Sequence, residues 1–409
     1  MILFSKEDKK TMKKILYLSQ VYPYPTDGGG KIKTLNTLKA LSKKYEIFAI
    51  FVSEKNPTKK EIEKLEKLGI RVKVFYSKKV LESVKDNLGN LASKFIRGIP
   101  HYVFQYTHKP AFPYIQNAVK SFKPDIIHVD HINMFQYLSG EKKEVWVLEQ
   151  HNLEHYLMWT RFIHTKKFTR KLYLFIEAAL TYLYERKAIK KFDHVFAISD
   201  EEKERIKKTF KLENVSTQPL VYKTLNYKKK ISKNPQILFI GMITWPPNEN
   251  AVEWFLKKIF PLIQKKIPSV EFHAVGKVNK ELLEKMPKLA NVVFHKQQPS
   301  LKKFFKNNQI FVLPFKMGGG VRIKALTALA NGSPIISTSL GVEGLKIKNN
   351  KECLIADAPH AFAQESIKLL RSKKLRNELS VNGLKYLRSY HSEDQNKRFL
   401  KEYRQIINQ

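Results

Sequence analysis

The residues from Ile310 to Thr338 restrict the fold more than any other part of this chain. Ile310 to Leu313 is an apolar run with the length and composition of a buried strand. Gly318, Gly319 and Gly320 follow, three positions free to adopt positive φ or to let another backbone come close. Val321 to Asn331 reads as a short helix of good formers. Its apolar positions fall at Val321, Ala325 and Leu329 and at Ile323, Leu326 and Ala330. Gly332 stands where a helix ends in a left-handed residue, Pro334 forbids continuation, and Pro334 to Thr338 reads as the next strand.

A strand, a glycine loop and a helix start make an anion site, because unpaired backbone N–H groups and the helix dipole point at whatever sits there. Arg322 and Lys324 fall in the first turn of that helix. Cations there oppose the dipole at a cost of about 0.3–1 kcal/mol each. A phosphate about 4 Å away returns on the order of 4 kcal/mol per charge pair. Two cations at this end therefore fit a bound anion, or else a glycine-rich turn with two solvated cations.

At 409 residues the chain suits two domains of about 200 residues each. Its 75 Lys+Arg against 37 Asp+Glu leave a formal charge of +38, which favours anionic partners or reflects a general lysine bias, since the excess is spread along the chain. The single cysteine, Cys353, excludes an intramolecular disulfide and a multi-cysteine zinc site, and points to a reducing compartment. No run of about 18 apolar residues is present to span a membrane. Residues 1–11 are too short and polar for a signal peptide and read as a leader, unless Met12 is the start. The expected location is cytoplasmic, with possible peripheral contact with the inner face of the membrane.

The first half alternates strands and helices. Lys13 to Gln20 is a buried strand, Val21 to Gly30 a loop, and Ile32, Leu35, Leu38 and Leu41 mark a helix before a strand at Tyr45 to Val52. This order implies parallel strands with a right-handed crossover. Gly28, Gly29 and Gly30 do not form the dinucleotide fingerprint; a lone glycine triplet is weak evidence of a ligand and suits a loop needing positive φ. A helix around Lys60 to Leu68 and strands at Val72 to Tyr76, Pro124 to Asp130 and Val145 to Leu148 continue the pattern. The last ends in the polar cluster Glu149 to Glu154, where ligands bind in open α/β sheets. His151 is the histidine this placement favours for function, while His128 and His131 read as structural. Tyr156 to Lys191 reads as one helix mixing aromatics with cations, suited to anionic lipid or to an apolar stripe with a solvated face. Val195 to Ser199 closes the sheet, and Ser199 caps the next helix.

Thr217 to Pro235 has weak periodicity and marks the boundary between a domain at 12–220, a linker at 221–232 and a second domain at 233–390. Pro235 to Gly241, Val270 to Gly276 and Val292 to Phe294 are further strands, with helices from about Asn248 and at Ser300 to Phe305. A closing helix, about Glu393 to Ile407, within 391–409, has no strand after it and is expected to pack back on the first domain. The fold class is α/β, with two doubly wound parallel sheets.

This constellation resembles the retaining glycosyltransferases of family 4, which have the GT-B fold of two Rossmann-like domains facing a cleft. The resemblance rests on Gly28 to Gly30, His151-Asn152, Phe239 to Ala251 and Gly318 to Gly344, and covers almost the whole chain. The latter two stretches are similar to a subgroup associated with surface polysaccharide and glycolipid assembly. The resemblance implies a UDP- or GDP-sugar donor, a glycan or lipid-linked acceptor, no metal or other cofactor, and no nucleic-acid partner. No Asp-x-Asp is present. Gly318, Gly319, Gly320 and Val321 would hold the diphosphate, with Gly241 beside it, and Arg322 and Lys324 would neutralise its charge. His151 would contact the transferred sugar, and Gly28, Gly29 and Gly30 the phosphates or acceptor.

Two departures stand out. Thr327 occupies the place of the family's ribose-binding glutamate, with Glu343 as a candidate replacement, and Met242 follows Gly241 where an arginine is usual. The alternatives are a catalytically impaired glycosyltransferase-like binding or scaffold protein, a sugar-nucleotide epimerase, and a nucleic-acid binder motivated by charge alone.

Overall fold

A computed structural model describes residues 12–26, 28–76, 99–165, 167–225, 234–298, 300–307, 309–317 and 323–408. Two compact units emerge, Met1–Val221 with Asp394–Gln409, and Tyr222–Glu393.

The first unit is built on β1 (Lys14–Ser19), β2 (Glu46–Ser53), β3 (Arg71–Tyr76), β4 (Ile126–Asp130), β5 (Val145–Gln150), β6 (His194–Ala197) and β7 (Val215–Thr217). Their order is β3-β2-β1-β4-β5-β6-β7, with every pairing parallel. The central strands are apolar on both faces, as a sheet covered by helices on both sides requires. Register decides what meets at the carboxyl edge: Ser19 on β1 pairs with Asp130 on β4, and Asp130 with Glu149 on β5. One row of the sheet thus carries two carboxylates.

The closing helix, Glu393–Ile407, belongs to this unit. Phe399, Tyr403 and Ile406 are buried with Ile15, Tyr17, Tyr45 and Phe196. Each such side chain contributes about 2 kcal/mol by burial.

The second unit holds β8 (Gln236–Ile240), β9 (Glu271–Val275), β10 (Val292–His295), β11 (Ile310–Leu313), β12 (Ile335–Ser337) and β13 (Leu354–Ile355). Their order is β10-β9-β8-β11-β12-β13, again parallel throughout. Counted within each unit, both sheets follow the doubly wound order 3-2-1-4-5-6, whose direction reverses beside the first strand. That reversal lies between β1 and β4 in one unit and between β8 and β11 in the other.

Several expectations need correction. Tyr156 to Lys191 is two helices, Glu154–His164 and Phe168–Ile189, separated at 165–167. Thr165 is extended and β-branched, and ends the first. Val195 to Ser199 does not close the sheet; β7 lies outside it, too short for periodicity to reveal. β5 runs on to Gln150, so Glu149 is a strand residue. The chain changes unit between Val221 and Tyr222. Within 221–232, Tyr222 N–H bonds His391 O at 2.8 Å and Leu225 N–H bonds Ala330 O at 2.7 Å, which ties residues 222–225 into the second unit. Gly29 and Gly30 lie in the first turn of helix Gly29–Leu41, and Gly28 is its extended N-cap at φ −148°. Positive φ is therefore not why glycine stands at these positions.

Candidate functional site

In the first unit the reversal point is filled with polar side chains. Asp130 ends β4, and its Oδ2 accepts from Ser19 Oγ at 2.8 Å and Thr34 Oγ1 at 2.6 Å. Its Oδ1 lies 2.6 Å from His151 Nε2 and 3.0 Å from His131 Nδ1. The two imidazoles stack with centroids 3.8 Å apart. His131 stands just past β4 at φ 78°, and its N–H donates to Glu149 O at 3.0 Å. A strained backbone held by the neighbouring strand turns this ring onto His151.

Glu149 anchors the row behind. Its Oε1 pairs with Lys33 Nζ at 2.7 Å and accepts from Thr37 Oγ1 at 2.9 Å. Its Oε2 lies 3.1 Å from His128 Nε2, whose Nδ1 is 3.1 Å from the Tyr403 hydroxyl. Lys33, Thr34 and Thr37 are consecutive inward positions on helix Gly29–Leu41, so one helix face serves both carboxylates. Gly30 is on the same helix, and a side chain there would place its Cβ 3.7 Å from His151 Nδ1.

The electrostatics separate these groups. Burial alone would raise the Asp130 carboxyl, but the imidazoles of His131 and His151 hold it well below the usual range. Burial lowers His131, yet Asp130 outweighs that and raises it. Burial and the charge on His131 lower His151. Glu149 meets the same burial penalty, and Lys33 and His128 bring it down to about 2. Burial lowers Lys33, with Glu149 opposing it. The result is two carboxylates held ionised and His131 favoured as the cation, with His151 favoured as neutral imidazole. Its Nε2 faces Asp130, which leaves Nδ1 toward Gly30 as the acceptor nitrogen.

Glu154 opens the next helix and is buried. Burial, then Glu185, pushes its carboxyl up to about 7. Glu185 Oε1 accepts from Glu154 N–H at 2.9 Å and Glu202 Oε1 from Leu153 N–H at 2.5 Å, so carboxylates cap this helix start. Among the described residues, Asp130, His131 and His151 are the group able to hold a metal ion, with ligand atoms within 4.8 Å of one another.

The second unit treats its reversal point differently. Gly241 follows β8 directly, and a Cβ there would lie 2.5 Å from Lys324 Cε and 3.2 Å from its Nζ. Lys324 is in the first turn of helix Ile323–Ala330, with its ammonium 5.6 Å from the Phe315 ring centroid. Gly276, after β9, packs so tightly that a Cβ would fall 1.8 Å from Gly241 O. Asn248 Nδ2 donates to Met242 O at 2.6 Å and holds the turn from its other side. Met242 follows Gly241, and the cation that stands beside this glycine is Lys324.

Thr327 donates its hydroxyl to Ile323 O at 2.9 Å, one turn back in its own helix. Such bonding keeps a threonine within its helix instead of reaching outward. Glu343 follows the turn Ser339–Val342, at the carboxyl end of β12. Thr338 Oγ1 donates to Phe315 O at 2.6 Å and accepts from Gly341 N–H at 3.2 Å, tying that turn to the chain leaving β11. Gly341 permits this, since a Cβ would meet Leu313 O at 2.5 Å. Gly318, Gly319, Gly320, Val321 and Arg322 lie outside the described residues.

Within the first unit the structure brings Gly30 beside His151, whose own partners are Asp130 and His131. Sequence reasoning missed Asp130 and set His131 aside as structural. The signal available was a carboxylate at the end of an apolar run, which demands a partner; which partner depends on the register, and the sequence does not give that. His128 is structural, stacked on Tyr17 at 4.7 Å between β1 and the closing helix.

Comparison with known proteins agrees with this architecture. Residues 234–372 match the family model for glycosyl transferases group 1, and residues 60–219 that for glycosyltransferase family 4. An uncharacterized 44.6 kDa protein in the cps region of Klebsiella pneumoniae is 24% identical over 389 residues, 92% of this chain and 96% of that protein. S. aureus TarM superposes with a TM-score of 0.70 at 13% identity, over 98% of this chain and 100% of its own. Anabaena HepE, solved with UDP-glucose, gives 0.64 at 11% identity over 96% and 99%. At such identities the likeness shows the fold, which is GT-B.

Proposed function

This chain belongs to the glycosyltransferases of group 1 and family 4, and we propose that it moves a sugar from a UDP- or GDP-sugar to a glycan or lipid-linked acceptor, with retention at the anomeric carbon and without a metal ion. The bond from the anomeric carbon to the diphosphate breaks, its electron pair leaving with the phosphate oxygen. A bond to the acceptor oxygen forms as the acceptor's proton passes to the departing phosphate oxygen.

The observation that carries the reading is the seat of Lys324 against Gly241, at the reversal point of a doubly wound sheet. A backbone turn without side chains beside an ammonium at a helix start suits a diphosphate, and stabilising the charge on a departing phosphate is the main demand of this chemistry. Gly318, Gly319, Gly320, Val321 and Arg322 join that role by sequence position. His151 takes a sugar hydroxyl on Nδ1, with Asp130 fixing the ring through Nε2, and Gly30 leaves room at that nitrogen; Gly28 and Gly29 join that role by sequence position. Glu343 accepts from the ribose in place of Thr327. An acceptor in surface polysaccharide or glycolipid assembly is supported by the relative in the cps region and by TarM, solved with a glycan and UDP.

The test incubates the full chain with UDP-, GDP- and ADP-sugars, with and without EDTA, and follows nucleoside diphosphate release. Release from a UDP- or GDP-sugar that persists in EDTA, with product of unchanged anomeric configuration by NMR, is the expected result. No release from any donor overturns the reading. Loss of release in EDTA would reassign Asp130, His131 and His151 to a metal.

A further inference from the structure

Helices Glu154–His164 and Phe168–Ile189 pack on each other, and the two ends of the second have opposite character. Toward its C-terminus, Ala178, Thr181, Glu185, Ala188 and Ile189 are buried in the unit. Toward the link at 165–167, no described side chain from Tyr156 to Tyr173 is buried, although this stretch holds Trp159, Phe162, Ile163, Phe168 and Leu172. Phe168 is 80% exposed, Ile163 55% and Trp159 42%. Trp159, Phe162 and Phe175 pile together with centroids 4.9 to 6.3 Å apart, forming a ring cluster on the outside of the fold.

The charge around this cluster has one sign. From His155 to Ile176 there is no Asp or Glu, while Lys167, Arg170 and Lys171 flank Phe168. Lys171 Nζ lies 5.1 Å from the Phe162 ring centroid, so cation and aromatic share one face. A solvated helix face mixes both signs. A second copy of the chain would bring the same cations against these. A surface that is apolar at depth and anionic at its boundary matches both features, because aromatic side chains enter the headgroup region while lysine and arginine meet the phosphates. No helix among the described residues is long and apolar enough to cross a membrane, so contact of this kind lies on the surface.

We propose that the paired helix ends, Trp159 to Ile163 on one helix and Lys167 to Phe175 on the other, dock this protein onto a membrane surface rich in anionic phospholipid. The inference deepens the reading above by naming where a lipid-linked acceptor is met, and the docking itself stands on this helix pair alone.

Co-sedimentation of the full chain with phosphatidylcholine vesicles, with and without phosphatidylglycerol, tests it. Binding is expected with phosphatidylglycerol and to fall steeply as salt is raised. The triple variant Lys167→Gln, Arg170→Gln, Lys171→Gln should lower partitioning about a hundredfold, since each cation near such a surface counts for about fivefold. Phe168→Ser with Ile163→Ser should lower it about tenfold. Circular dichroism and cleavage of a soluble donor should match the wild type in both variants, which separates lost docking from lost folding or chemistry. Equal binding to pure phosphatidylcholine, no binding to either vesicle, or variants that partition like the wild type would overturn the proposal. So would a concentration-dependent dimer that these variants abolish, in a protein that ignores vesicles.

Discussion

The two sheets share a strand order and a reversal point, yet they furnish that point in opposite ways. In the first unit Ser19, Asp130 and Glu149 share one row, and His131, His151, Lys33 and His128 close around the carboxylates until charges of both signs are paired. In the second unit Gly241, Gly276 and Gly341 remove side chains so that backbone and Lys324 come together. The first arrangement orients one imidazole; the second leaves a bare turn beside an ammonium, which the proposed function fills with an anion. Identical topology therefore says where chemistry happens, and the local residue types say which part of it.

If the first unit orients and the second binds, damage to each should appear in different constants. The largest effect is expected from His151→Ala, which should lower kcat by on the order of a thousandfold while donor KM changes little. A rise in KM with kcat preserved would place His151 in donor binding and erase the contrast. Gly241→Ala should act oppositely. Its methyl would fall 2.5 Å from Lys324 Cε and displace the ammonium. A loss of about a hundredfold in kcat/KM, expressed largely as weaker donor affinity by calorimetry, is the expected outcome.

The smallest effect sharpens the account of burial. Glu154 is raised from 4.5 to about 7, so the folded state holds a proton that the unfolded chain has released. Stability from this group is fully present below about pH 4.5 and is lost as pH rises through about 7. Glu154→Gln should remove that slope, gaining on the order of 2–3 kcal/mol over the wild type at about pH 8 and little at about pH 4. Denaturant melts at the two pH values measure the difference. Asp130 and Glu149 are depressed instead, so their contribution is lost only on acidification, in both proteins alike.

The strand pattern was largely legible in the chain, because buried parallel strands are short apolar runs: Ile310–Leu313 falls where the pattern places it, and the closing helix Glu393–Ile407 follows from its own helical periodicity. What periodicity could not reveal was register. Asp130 and His131 look incidental until β1, β4 and β5 align, and Lys33 looks like a surface lysine until helix Gly29–Leu41 turns it onto Glu149. β7, three residues long, leaves too little periodicity to detect. Sequence alone offers backbone freedom as the reason for Gly30, whereas what the structure displays is the space it leaves beside His151 Nδ1.

The most direct test is calorimetric titration of UDP and GDP into the wild-type chain and into Lys324→Glu. The account predicts that one of the two nucleotides binds the wild type, and that the charge reversal weakens it by a hundredfold or more, as an ion pair turned repulsive at a phosphate demands. A variant that binds either nucleotide as tightly as the wild type, or a wild type that binds neither, would contradict it.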